Sequence, residues 1–83
     1  MKKNKDSVLS IDLHGIRHKQ ALGLVHKTIN ECSKKGSFSL TVITGNSTVL
    51  QERIFSECLE NSKFTYFIPS WNMGQIIVEH IEL

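Results

Sequence analysis

The chain has 83 residues, of which 40% are hydrophobic and 22% are charged, and its formal net charge is +2. A chain of this length forms one domain with a small core. No apolar run approaches the roughly 20 residues that a membrane span needs, and the basic start lacks the apolar stretch of a secretory signal. We therefore expect a cytoplasmic, monomeric protein that does not enter a membrane.

The charges are unevenly distributed along the chain. Residues 1–35 contain eight of the ten Lys and Arg residues and three acidic residues, whereas residues 36–83 contain two basic and five acidic residues. We expect residues 1–7 to form a flexible basic lead and residues 8–83 to form the domain. A basic half is compatible with a partner that carries phosphate groups, and equally with a basic surface that has no partner.

The first predicted strand, from Val8 to Leu13, ends in the sequence Asp12-Leu13-His14-Gly15. Because strand residues alternate between faces, the Asp12 carboxylate and the His14 imidazole are expected on one face at the strand end. Gly15 then allows the backbone to turn. A carboxylate beside an imidazole suits acid–base chemistry. Such a pair is also common at the polar end of a strand, where it has no catalytic role.

The next element is predicted to be a helix from Arg17 to Ser33, ended by Lys34-Lys35-Gly36. Its apolar residues fall on one helical face; they are Ala21, Leu22, Val25, Ile29 and Cys32. His26 is near the edge of this face, and we expect it to pack there. Cys32 and Cys58 are 26 residues apart with no Cys-x-x-Cys pair, so both are expected to be apolar core residues.

A second strand is predicted from Ser39 to Thr44, parallel to the first because a helix connects the two. It is followed by the loop Thr44-Gly45-Asn46-Ser47 and by a second helix. Parallel strands end at the same edge of a sheet, which is where open α/β sheets bind ligands. The sequence therefore predicts that this loop lies beside the Asp-x-His sequence.

For the second helix, we expect Thr48 to be the N-cap residue and Gln51 to complete a capping box. Its apolar face comprises Leu50, Ile54, Phe55, Cys58 and Leu59. A Gly-containing loop before a helix N-terminus can bind phosphate, or it can be only a tight turn. It lacks the Lys and the second Gly of a nucleotide-binding P-loop.

Two further strands complete the chain, predicted from Phe64 to Ser70 and from Gln75 to Leu83, antiparallel to each other. Phe64, Tyr66 and Ile68 share one face, and Pro69 suggests the edge of the sheet. Trp71, in the loop between the strands, can stack on a nucleic-acid base or cover the end of the core. The predicted fold is a two-layer α/β sandwich of order β-α-β-α-β-β with a mixed four-stranded sheet.

These residues resemble the Smr domain, the small MutS-related domain. The resemblance covers about residues 8–83 and depends mainly on the sequence from Ile11 to Gly15, with support from Gln20-Ala21-Leu22, Val42-Ile43-Thr44-Gly45 and a final Gly-x-x-x-Val-Glu segment. It implies a fold similar to the C-terminal domain of bacterial translation initiation factor three. It also implies endonuclease activity, since family members nick DNA or cleave RNA, some of them at stalled or collided ribosomes.

The family's two motifs map onto Asp12-Leu13-His14-Gly15 and onto Thr44-Gly45-Asn46-Ser47. Many members have His-Gly-x-Gly in the second motif and others have Thr-Gly-x-Gly. This chain has Thr44 at the first position and Ser47 in place of the second Gly. The missing His removes one candidate acid or base.

The resemblance and the motifs together predict an endonuclease that acts on RNA in preference to DNA, with the ribosome as a further partner. The predicted catalytic residues are Asp12 and His14. The predicted phosphate-binding residues are Gly15, Arg17, His18, Lys19, Thr44, Gly45, Asn46 and Ser47. No cofactor is expected, and dependence on a divalent metal is open; Asp12, His14 and His18 form a weak candidate ligand set. The alternative is a nucleic-acid or ribosome-binding module that does not cleave.

Overall fold

The chain folds in the predicted order β-α-β-α-β-β, in a computed structural model that describes residues 7–81. The elements are β1 (Ser7–Asp12), α1 (His18–Lys34), β2 (Phe38–Ile43), α2 (Thr48–Ile54), β3 (Thr65–Phe67) and β4 (Gln75–His80), and a π-helical segment (Phe55–Leu59) continues α2. Residues 1–6 of the predicted lead and residues 82–83 lie outside the described part, and β1 already begins at Ser7.

The four strands form one mixed sheet in the order β1-β2-β4-β3. β1 and β2 are parallel, and β4 is antiparallel to both β2 and β3. This arrangement confirms the predicted mixed four-stranded sheet. It also brings the ends of β1 and β2 to the same edge as the start of β4.

The core lies between one face of the sheet and the two helices. The strands contribute alternate residues, which is the pattern of a sheet with one covered face; they are Phe38, Leu40, Val42, Ile76 and Val78. Leu13, directly after β1, joins them in the core. Helix α1 contributes the five apolar residues predicted for its buried face. Helix α2 and its π-helical continuation contribute Leu50, Ile54 and Leu59. Ala21, Val25 and Ile54 are fully buried, so both helices are held chiefly by their apolar faces.

Helix α1 buries all five of the predicted apolar residues, but His26 is exposed, and its predicted packing role is wrong. His26 directly follows the fully buried Val25. One residue turns the side chain by about 100° around a helix of 3.6 residues per turn. That rotation carries the imidazole away from the core.

The start of α2 differs from the predicted capping box. Ser47 is the N-cap residue, with an extended backbone (φ −82°, ψ 97°), and its hydroxyl oxygen accepts a hydrogen bond from the Leu50 N–H at 3.2 Å. Thr48 is the first helical residue. The Gln51 side chain is buried and makes its hydrogen bonds to Thr44 and Met73. The N-cap therefore lies one residue earlier than predicted.

Strand β3 is shorter than predicted and lies at the edge of the sheet. Phe64, Tyr66 and Ile68 pack against the core, so the predicted alternation is confirmed beyond the strand itself. Pro69 has no N–H for the sheet ladder, and the Asn72 N–H donates to the Pro69 carbonyl across a tight turn. The chain therefore leaves the sheet before the predicted end of the strand.

The two cysteines are free thiols. Cys32 is buried in the core, and Cys58 packs against it while partly exposed. Burial raises the pKa of the Cys58 thiol to about 11, and the nearby Glu57 carboxylate adds to the shift. Burial also raises the pKa of the Cys32 thiol. Both residues are therefore protonated at neutral pH.

Candidate functional site

Three loops meet at one edge of the sheet. Asp12 at the end of β1 is paired with Ile43 at the end of β2, and Ile43 is paired with Gln75 at the start of β4. The turns that follow Asp12 and Ile43 and the loop that precedes Gln75 are therefore neighbours. This edge contains all of the residues predicted to act in catalysis or to bind phosphate.

The first turn is built around Gly15. The Ile16 N–H donates to the Leu13 carbonyl at 3.1 Å, and Gly15 has a φ of +82°, as the third residue of a type II turn requires. The Asp12 carboxylate accepts a hydrogen bond from the His14 backbone N–H at 2.9 Å. Asp12 thus bonds the main chain of His14, and both side chains are exposed.

We expect the substitution Gly15→Ala to lower the free energy of unfolding by about 1–2 kcal/mol, because a Cβ atom disfavours the left-handed region. A Cβ atom at Gly15 would meet nothing within 4 Å, so backbone strain accounts for the whole effect. Gly23, in the middle of α1, is the matched control: its Cβ would also meet nothing within 4 Å, and Gly23→Ala should stabilise the helix by about 0.5–1 kcal/mol. Urea denaturation of both variants measures the two effects, and equal signs would contradict the prediction.

The second turn lies directly against the first. A Cβ atom placed on Gly45 would lie 3.4 Å from Cδ2 of His14, and Gly45 has a φ of +69°. The imidazole of the first motif therefore lies next to the glycine of the second. A side chain at position 45 would strain the backbone, and its Cβ atom would touch the imidazole.

Within the second turn, Thr44 and Gly45 direct their hydrogen-bond donors into the protein. The N–H groups of both residues donate to the Gly74 carbonyl, at 2.9 and 3.0 Å. The Thr44 hydroxyl is buried and bonds the carbonyls of Gly74 (3.1 Å) and Gly45 (3.0 Å). Of the four residues predicted to bind phosphate in this turn, Asn46 is exposed and Ser47 is partly exposed. Gly45 is also partly exposed, whereas Thr44 is buried.

Gln51 connects the second turn to the third loop. Its Nε2 donates to the Thr44 hydroxyl oxygen and to the Met73 carbonyl oxygen, both at 2.9 Å. The sequence pattern assigned Gln51 to helix capping, so this connection was missed. A signal was available in the sequence: Gln51 lies beside Leu50 and Ile54 on the apolar side of the helix, where a polar side chain needs a hydrogen-bond partner inside the protein.

The loop before β4 is the third part of the site, and the two motifs do not include it. Gly74 packs closely on the second turn: a Cβ atom there would lie 3.2 Å from the Gly45 carbonyl oxygen. The Gly74 N–H donates to the Asn72 side-chain oxygen at 2.9 Å. Trp71 in this loop is 75% exposed, so the predicted role of covering the core is wrong.

Basic residues directly follow the first turn, at the start of α1. Arg17 is the N-cap residue of α1, and Arg17 and Lys19 are exposed while His18 is partly buried. The first turn of α1 contains no acidic residue, so nothing there offsets the partial positive charge of the helix N-terminus. Arg17 and Lys19 therefore place positive charge close to the first turn, where the exposed Asp12 carboxylate supplies a negative charge.

Between residues 7 and 81, no three His, Cys, Asp or Glu side chains come together in a way that could hold a metal ion. The weak ligand set of Asp12, His14 and His18 therefore does not assemble. None of the helices in this part of the chain is both long and apolar enough to cross a membrane.

The model of the Smr domain family matches residues 11–67 of the 83-residue chain. The match spans both motif turns, α1 and α2. No curated protein and no solved structure shows significant similarity to the chain. Because the match covers well over half of the chain, the protein belongs to the Smr domain family, a family of nucleic-acid-binding or nuclease-like modules.

Proposed function

We propose that the protein is an endonuclease that cleaves RNA with His14 as the residue that moves the proton. The observation that carries this proposal is the proximity of the exposed His14 imidazole to Gly45, where a Cβ atom would lie 3.4 Å from Cδ2 of the ring. This places an imidazole, a side chain that serves as general acid or base in many active sites, at the junction of the two motif turns. A phosphodiester lying across the two turns would be within reach of it.

In the proposed reaction, the neutral His14 imidazole takes the proton from the 2′-hydroxyl of the substrate. The 2′-oxygen forms a bond to the adjacent phosphorus, the bond from phosphorus to the 5′-oxygen breaks, and the leaving oxygen takes a proton from water or from the imidazolium. On DNA, which has no 2′-hydroxyl, the same base would activate a water. General acid–base catalysis of this kind is worth on the order of 10²–10⁴ in rate.

The remaining residues are proposed to hold the substrate. Arg17 and Lys19 would bind phosphates next to the scissile bond and offset the charge that develops on it, and His18 would assist from its partly buried position. Asn46 and Ser47, and the backbone of Gly15, would contact the scissile phosphate. Thr44 and Gly45 shape the turn, since their donors are already bonded to Gly74.

Asp12 is proposed to be a positioning residue that acts through the backbone of His14. Asp12→Ala removes the bond to the His14 N–H and should lower the cleavage rate by up to ~10²-fold, because small misplacements of a catalytic group are costly. Asp12→Asn keeps an acceptor oxygen at the same place and should retain most of the activity. Single-turnover rates of both variants test this role. Equal losses would indicate that the negative charge, and not the hydrogen bond, is what matters.

A second candidate function is a module that binds nucleic acid or the ribosome without cleaving it. It is favoured by the Thr44 and Gly45 donors, which are satisfied within the protein, and by the Thr at the position where many relatives have His. Such a module would bind through phosphate contacts, so its affinity would fall steeply with salt and would not depend on His14.

In the deciding experiment, the wild-type protein and the His14→Ala variant are each incubated with end-labelled single-stranded RNA, structured RNA and supercoiled DNA, with and without a chelator. Cleavage of RNA that is lost in His14→Ala supports the proposed reaction, and a 2′,3′-cyclic phosphate on the product identifies the 2′-hydroxyl as the nucleophile. Nicking of DNA alone changes the substrate class. Bound but intact nucleic acid with both proteins supports the binding module.

A further inference from the structure

The loop between β3 and β4 exposes two large apolar side chains beside the candidate site. Trp71 is 75% exposed and Met73 is 66% exposed. Placing a tryptophan in water is unfavourable, because its ring is among the largest apolar surfaces a side chain has. The family match ends at residue 67, so family membership assigns no role to either residue.

The backbone of this loop is held in place on both sides of Trp71. The Asn72 N–H donates to the Pro69 carbonyl at 3.2 Å, and Pro69 is buried. The Gly74 N–H donates to the Asn72 side chain at 2.9 Å, and the Met73 carbonyl accepts from Gln51 at 2.9 Å. The loop therefore presents Trp71 from a fixed backbone, which reduces the entropy lost when a ligand binds.

The same loop contacts the second turn, which lies next to the turn that carries His14. Gly74 approaches the Gly45 carbonyl closely, and Gly45 approaches the His14 imidazole at the other side. The exposed ring is thus three residues from a glycine that is packed on the second turn. The basic residues Arg17 and Lys19 flank the first turn, so a charged surface and an aromatic surface are found at one edge of the sheet.

We propose that Trp71, with Met73 beside it, is a stacking surface for an unpaired base, and that the site consequently takes single-stranded RNA in preference to duplex. This inference deepens the proposed function and rests on it for the choice of nucleic acid. In a duplex, both faces of an internal base are covered by neighbouring bases, so only an unpaired base offers a face to an aromatic ring. The phosphates of the same strand would contact the basic residues of α1.

The test uses Trp71 as its own reporter, because it is the single tryptophan in the chain. The full-length protein is titrated with a single-stranded RNA of about ten nucleotides, with the same sequence as a duplex, and with single-stranded DNA. Stacking of a base on the indole should quench its fluorescence with the single strands and leave it nearly unchanged with the duplex. A difference between RNA and DNA then reports which sugar the site prefers.

Fluorescence anisotropy of labelled RNA measures the affinity of variants that lack the indole. Trp71→Ala should weaken binding of single-stranded RNA on the order of 10-fold, because stacking on an aromatic side chain contributes strongly to each bound base. Trp71→Phe should recover part of the loss. Leu24→Ala is the matched control, since Leu24 is another exposed apolar residue on α1, and it should change the affinity little.

The outcomes separate this proposal from the proposed function. Quenching by single strands with a matching loss in Trp71→Ala supports the stacking surface, even if no cleavage is seen. Equal cleavage of RNA by the wild type and by Trp71→Ala, without quenching, overturns the stacking surface and leaves the nuclease intact. Equal binding without quenching or cleavage also overturns the stacking surface. A fluorescence change that follows protein concentration in the absence of nucleic acid would mean self-association through this loop, and would also overturn it.

Discussion

Replacing His14 with alanine is expected to lower the rate of RNA cleavage by ~10²–10⁴-fold, the range that one general acid or base contributes. The side chain is exposed, and the bond to Asp12 is made by the backbone N–H of His14, which alanine retains. The fold and the affinity for RNA should therefore change little. Single-turnover cleavage and anisotropy on the same RNA measure the two quantities separately.

Two further variants make this result specific. His14→Gln keeps a polar side chain, but an amide cannot act as a general acid or base. This variant should therefore be as inactive as His14→Ala. His26→Ala is the matched control, because His26 is an exposed histidine on α1 that belongs to neither motif. An unchanged turnover in His14→Ala would rule out the proposed role, and a comparable loss in His26→Ala would point to a general effect on folding.

The substitution Gln51→Ala should destabilise the protein and the site together. Gln51 is 5% exposed, and it makes two hydrogen bonds of 2.9 Å to groups in two different loops. Removing it deletes both bonds and leaves a cavity, which together cost about 2–3 kcal/mol. This is a large fraction of the roughly 5–15 kcal/mol that stabilises a typical domain.

Thermal and urea denaturation measure the effect, and the melting temperature should fall on the order of 10–20 °C for a domain of this size. Gln51→Leu fills much of the volume without the hydrogen bonds, so its difference from Gln51→Ala separates packing from hydrogen bonding. Gln20→Ala, at an exposed position of α1, is the control and should stay within about 0.5 kcal/mol of wild type. Equal effects of Gln51→Ala and Gln20→Ala would contradict a structural role for Gln51.

The elements and their buried faces were predictable because they follow from local periodicity. The five buried residues of α1 repeat at helical spacing, and the buried residues of β2 alternate. The parallel pairing of β1 with β2 follows from the helix that connects them. From these features alone, the Asp12–Gly15 and Thr44–Ser47 turns could be assigned to one edge of the sheet.

Element ends were less predictable, because alternative local bonds compete there. Ser47 and Thr48 are both good N-cap residues, and nothing nearby in sequence shows that Ser47 takes the role. Strand β3 ends early because the chain folds into the turn after Pro69. Each of these outcomes depends on the path of the following loop.

What the sequence by itself determined is the family, the order of the elements, the apolar faces and the edge of the sheet at which the motifs lie. Tertiary structure alone decided the arrangement that makes this edge a candidate site: the His14 imidazole next to Gly45, Gln51 between Thr44 and Met73, and the loop that exposes Trp71. Periodicity shows which face of an element is buried. It does not show which partner, 22 or 30 residues away in the chain, a polar group will bond, because that choice is made only when the loops pack together.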